Sequence, residues 1–135
     1  MRTVISILLV EDFEPFRSFI SSLLQEKPHL QVVSEASDGL EAVRRAQEFN
    51  PDLILMDIGL PGLNGIDAAR QIRELVPESK IIFLTQESSA DVVQEALALG
   101  ALGFVVKMKA ASELLSAVET VLLGKTFVSS SIGSL

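Results

Sequence analysis

No cysteine occurs in the 135-residue sequence, which excludes a disulfide framework, a thiolate nucleophile and a cysteine-ligated zinc cluster. Histidine occurs once, as His29 between Pro28 and Leu30, and reads as a solvated loop residue rather than a ligand. Positive charge is scarce: 11 Lys and Arg stand against 18 Asp and Glu, for a net charge of −7. Nucleic-acid affinity rests on basic side chains neutralising phosphates, so direct nucleic-acid binding is not expected, and proteins and cations are better partners. No apolar run is long enough for a membrane span. The stretch over residues 4–10 is cut off by Glu11-Asp12 with no small-residue cleavage site after it, so the chain reads as cytoplasmic. Tracts rich in Pro, Ser or Gln are also missing. With 48% hydrophobic and 21% charged residues, the chain is sized and composed for one globular domain with a real core.

What is present is an alternation. Leu53-Ile54-Leu55-Met56-Asp57 is a short apolar run ending in a carboxylate, the pattern of a strand buried on both faces. It leads into Pro61-Gly62, which fits the two central positions of a type II turn. Further strands are expected over residues 4–10, 30–36, 80–85 and 103–106, the second at a sheet edge because it carries polar residues. Between them lie helical patterns. Glu14-Pro15 opens one whose Phe16 and Phe19 are expected in the core; Asp38 with Glu41 resembles a capping box; Asn64 and either Ser88 or Ser89 can cap the next two. Gly100 and Gly124 suit helix stops, the last helix covering roughly residues 111–123. Strand then helix, repeated five times, calls for a parallel sheet with helices on both faces. Residues 1–123 are thus expected to form the domain. Residues 124–135 remain open as a tail, a small extra strand or the start of a linker, with a slight preference for a linker to an output domain.

In such a sheet, sites form beyond the carboxyl ends of the strands. Those ends carry Glu11-Asp12, Asp57, Thr85 and Lys107. Neighbouring carboxylates stay ionised together only if a cation compensates, and Mg²⁺ takes oxygen ligands of this kind. Glu11, Asp12 and Asp57 are the expected ligands, with the Gly59 backbone carbonyl as a further one. An ionised Asp at a sheet rim can also attack phosphorus, and Asp57 is best placed to do so. Lys107 would supply a point charge and Thr85 a hydroxyl donor to the transferred group.

At these residues, over about 4–123, the sequence resembles the receiver domain of two-component response regulators. The resemblance lies in Glu11-Asp12, the stretch from Met56 to Gly65, Thr85, and Phe104 three residues before Lys107. The wording around Asp57 and the ending Gly124-Lys125-Thr126-Phe127 are most similar to the NarL/FixJ (LuxR-type) branch, whose receivers usually precede a helix-turn-helix DNA-binding domain. The resemblance implies a flavodoxin-like fold with five parallel strands in the order 2-1-3-4-5. It further implies phosphoryl transfer to Asp57 from a sensor histidine kinase or phosphotransfer protein, with Mg²⁺, and a switch in which Thr85 moves and Phe104 turns inward. The output surface, and the face of a possible homodimer, would be the helix at 89–99, the fifth strand and the last helix. Such a module regulates rather than catalyses.

Three positions depart from the family pattern. Met108 stands where a proline commonly follows the lysine through a cis bond, Gln86 stands where a small residue is common, and Phe104 lacks the hydroxyl of the frequent tyrosine. The main alternative is a receiver-like docking or dimerisation module that works without phosphorylation. An aspartyl-phosphate enzyme of the haloacid dehalogenase kind would carry a second acid at position 59, where this chain has Gly59. A nucleotide-binding domain would need a glycine-rich loop after the first strand.

Overall fold

The computed structural model describes residues 4–86 and 89–129. Five strands alternate with helices: β1 (Ile5–Val10), α1 (Glu14–Gln25), β2 (Leu30–Ala36), α2 (Gly39–Phe49), β3 (Leu53–Asp57), α3 (Gly65–Leu75), β4 (Lys80–Thr85), α4 (Ala90–Ala98), β5 (Gly103–Val106) and α5 (Ala110–Leu122). A 3-10 turn over Lys107–Lys109 leads into α5. The expected five strands are corrected to six. A short β6 (Phe127–Val128) pairs with β5, and all the strands are parallel, in the order β2-β1-β3-β4-β5-β6. The fold is flavodoxin-like.

Side chains of successive strand residues point to opposite faces, and this alternation divides the core cleanly. Leu8, Val10, Ile54, Met56, Phe83, Phe104 and Val106 face the cluster built with α2, α3 and α4, through residues such as Val43, Ile72 and Val93. Ile7, Leu9, Leu53, Leu55, Leu84 and Val105 face α1 and α5, through Ile20, Leu24, Leu114 and Val118. Each central strand is buried on both faces, which is why Leu53–Asp57 shows no polar alternation.

Helix ends follow the local chemistry. Asp38 Oδ1 accepts from the Glu41 N–H at 2.7 Å, while the Glu41 carboxylate reaches back one residue further than in a capping box, to the Ser37 N–H at 2.9 Å. Asn64 accepts from the Asp67 N–H at 2.9 Å, and Ser89 caps α4; Ser88 lies outside the described residues. β2 is an edge strand, as its polar residues suggest. Phe19 corrects the expectation of a core aromatic, being 41% exposed, whereas Phe16 is half-buried.

Candidate functional site

The strand order reverses between β1 and β3, where two adjacent strands send their crossovers to opposite faces and leave a crevice at their carboxyl ends. Glu11 follows β1 and Asp57 ends β3 at that crevice. The structure brings Glu11, Asp12 and Asp57 together, one carboxylate oxygen of each lying within 4.8 Å of the others. Lys107, at the end of β5, reaches back across β4's end to sit 2.8 Å from Glu11 Oε1 and 3.2 Å from Asp57 Oδ2. Strand parity explains the grouping. Glu11, Asp57 and Lys107 continue the alternation of Leu9, Leu55 and Val105 on the α1/α5 side, while Thr85 continues that of Phe83 on the α4 side, where Phe104 also lies.

Glu11 is fully buried, Asp57 is 7% exposed and Asp12 is exposed. Glu11 Oε2 accepts from the Phe13 N–H at 3.0 Å, and Asp57 Oδ1 from the Gly59 N–H at 3.2 Å. Glu11 Oε1, the other oxygen of the buried carboxylate, is paired with the Lys107 ammonium. Burial pushes the Glu11 carboxyl above its ordinary value, against the opposing pull of Lys107 and the Phe13 N–H. Burial alone would lower the Lys107 ammonium, but Glu11 and Asp57 outweigh it and hold the group above its usual range. Three carboxylates against one ammonium leave the crevice with a formal excess of two negative charges. A divalent cation would neutralise that excess. The all-oxygen donor set and the excess negative charge fit Mg²⁺.

The surrounding pocket, about 360 Å³, is lined by these residues with Phe13, Ile58, Gly59, Thr85 and Gln86, and has room for a phosphoryl group. Gln86 is an exposed part of its wall. Thr85 is 2% exposed and Phe104 fully buried, so the Phe104 ring already lies in the core. The Lys107–Met108 peptide is trans, and Lys107 nonetheless reaches both carboxylates. Gly62, at φ +71, has the conformation the expected turn requires. The sequence reading missed Phe16. The centre of its ring lies 4.8 Å from the Lys107 ammonium, within cation–π range.

Fold and site together define a doubly wound α/β domain with a charged acidic crevice at its topological switch point. Residues 7–119 match the family model described as the response regulator receiver domain. The chain belongs to that family, in its NarL/FixJ (LuxR-type) branch, and is regulatory rather than a conventional enzyme. It is 36% identical over 129 residues to the transcriptional regulatory protein LiaR of Bacillus subtilis (strain 168), covering 96% of this chain and 61% of that protein. Among solved structures, it resembles a two-component response regulator of the LuxR family from Aurantimonas sp. SI85-9A1, at TM-score 0.91 and 35% identity, covering 96% of this chain and 92% of that one. The receiver domain of the putative response regulator NarL from Mycobacterium tuberculosis aligns at TM-score 0.84 and 27% identity, covering 90% and 98%. The chain spans between 52% and 61% of the length of the first curated relatives it matches. Among the described residues no helix is long and apolar enough to cross a membrane.

Proposed function

We propose that the domain is a phosphorylation-dependent signalling switch whose phosphoacceptor is Asp57. An Asp57 carboxylate oxygen attacks phosphorus of a phosphohistidine on a sensor kinase or phosphotransfer protein. The new O–P bond forms as the P–N bond breaks, and the imidazole leaves with the bonding pair and takes up a proton. Asp57 suits this role because it is held at the rim of a rigid sheet, with Oδ1 on the Gly59 N–H and Oδ2 beside Lys107. Glu11, Asp12, Asp57 and the Gly59 carbonyl would hold Mg²⁺, which supplies charge neutralisation for the transferred group. Lys107 then pairs with a phosphoryl oxygen, and the Thr85 hydroxyl donates to another. In this reading the exchange is cytoplasmic.

The readout follows from the sheet. Thr85 pairs in register with Val106, and Phe104 lies two residues back on the same face, so a shift of Thr85 toward the phosphate alters the packing around Phe104 and α4. The face formed by α4, β5 and α5 is the output surface and a candidate homodimer interface. In this reading the receiver extends past the expected boundary at residue 123 to take in β6, and it serves an output module, in keeping with the longer transcriptional relatives. Transcription would then be controlled through a DNA-binding domain outside this chain.

One observation carries the proposal: Lys107 bridges a buried Glu11 and a rim Asp57 while a third carboxylate stands within 4.8 Å. Intact-mass analysis after incubation with a small-molecule phosphodonor and Mg²⁺ tests it. The native chain is expected to gain one phosphoryl group, and Asp57→Asn none. If the native chain gains none, and beryllofluoride with Mg²⁺ leaves the NMR signals of Thr85, Phe104 and Lys107 unmoved, the docking-module reading takes its place.

A further inference from the structure

We infer that Arg17 is a positioning residue for the acidic pair Glu11-Asp12, an inference that rests on the reading of that pair as cation ligands. Arg17 lies on α1, outside the pocket, and its side chain is only 19% exposed. Its Nη1 donates to the Glu11 backbone carbonyl at 2.7 Å, and its Nε donates to Glu35 Oε1, on edge strand β2, at 2.9 Å. The guanidinium fork therefore joins three elements at one point: the start of α1, the end of β1 and the end of β2.

That point governs the aim of both carboxylates. The Glu11 N–H is held by the Ala36 carbonyl of β2 at 3.0 Å, which fixes the peptide before Glu11. The carbonyl that Arg17 holds belongs to the next peptide, between Glu11 and Asp12. Rotation of this peptide would swing the Asp12 side chain with it, and Asp12, exposed and beyond the last residue of β1, has no sheet ladder to resist such rotation. A charge-assisted bond from an anchored guanidinium supplies the resistance. The anchor matters as much as the bond, because Glu35 fixes the plane of the fork. A lysine, with a single ammonium at the end of a flexible stem, cannot reproduce both contacts in fixed geometry.

The alternative is that Arg17 merely ties α1 to the sheet edge, and the two roles separate experimentally. Mg²⁺ binding to the full chain is measured by titration calorimetry, and folding by circular dichroism, for the native protein and for Arg17→Ala, Arg17→Lys, Glu35→Gln and Asp12→Asn. Loss of an outer partner of a metal ligand typically weakens the metal about 10- to 100-fold, so Arg17→Ala is expected to raise the Mg²⁺ dissociation constant about 10-fold while remaining folded. Arg17→Lys should recover little of this, and Glu35→Gln should show a smaller weakening. A lowered melting temperature with unchanged Mg²⁺ affinity in Arg17→Ala overturns the inference. Should that variant not fold, unchanged affinity in both Arg17→Lys and Glu35→Gln overturns it equally. Native chain that fails to bind Mg²⁺ sinks the cation reading itself, and the inference with it. Native binding that is lost in Asp12→Asn but kept in Arg17→Ala sinks the inference alone.

Discussion

At the scale of single residues, the crevice is an electrostatic compromise. Glu11 is buried where no carboxylate would choose to be, and its pKa is raised chiefly by that burial. The sign of the consequence is fixed by linkage: a group that binds its proton more tightly in the folded state stabilises the fold below its unfolded pKa, about 4.5, and loses that contribution as pH rises through the folded value. The stability difference between native chain and Glu11→Gln, measured by urea unfolding without divalent cations, is therefore expected to move against the native chain as pH climbs through that window. A difference that is flat with pH would show that Glu11 is not strained. The acids, Thr85 and Lys107 were legible in the sequence because each ends a recognisable strand, and parity puts three of them on one side. Phe16 was not, since a phenylalanine in an amphipathic helix carries no mark of the cation above it. Arg17 was equally silent: one partner is a backbone carbonyl, which no residue pattern reports, and the other, Glu35, is 18 residues away on β2.

At the scale of elements, the five strand–helix units could be read from apolar runs and caps, with boundaries off by one or two residues. The sixth strand could not be assigned. Two residues provide too short a run for a strand pattern, and β6 is defined by its partner rather than its own sequence. Its hold on the sheet comes largely from the residue after it. The Ser129 N–H donates to the Phe104 carbonyl at 2.9 Å, its hydroxyl accepts from the Val106 N–H at 2.9 Å, and the same hydroxyl donates to Glu113 Oε1 of α5 at 2.5 Å. Ser129 is 2% exposed, so Ser129→Ala leaves the buried Val106 N–H without that acceptor and is expected to cost about 1–3 kcal/mol. Circular dichroism during urea unfolding is the suitable probe, because the sequence has neither tryptophan nor tyrosine. An unchanged midpoint would mean that the Ser129 hydroxyl contributes nothing to holding β6.

At the scale of the molecule, a parallel sheet holds the acidic crevice at one end, and the proposed switch would pass its state sideways, through β4 and β5, toward α4 and α5. The net charge of −7 suits a domain whose partners are cations and proteins. The proposed phosphorylation of Asp57 would add charge and acceptor oxygens beside Lys107 and Thr85, and a coupling of about 1–3 kcal/mol would be enough to regulate a partner. The fold class was readable because alternating strands and helices admit few arrangements. The site was readable because α/β sheets put chemistry at strand ends. Everything in this account turns on which atom receives the phosphoryl group, and chemical trapping reads that directly. After phosphorylation in the presence of Mg²⁺, borohydride reduces an aspartyl phosphate to homoserine, and peptide mass mapping locates the product. Homoserine is expected at position 57 alone, with no conversion in the unphosphorylated chain. Homoserine at position 12 instead, or a phosphoryl group that resists borohydride on a serine or threonine, would contradict it.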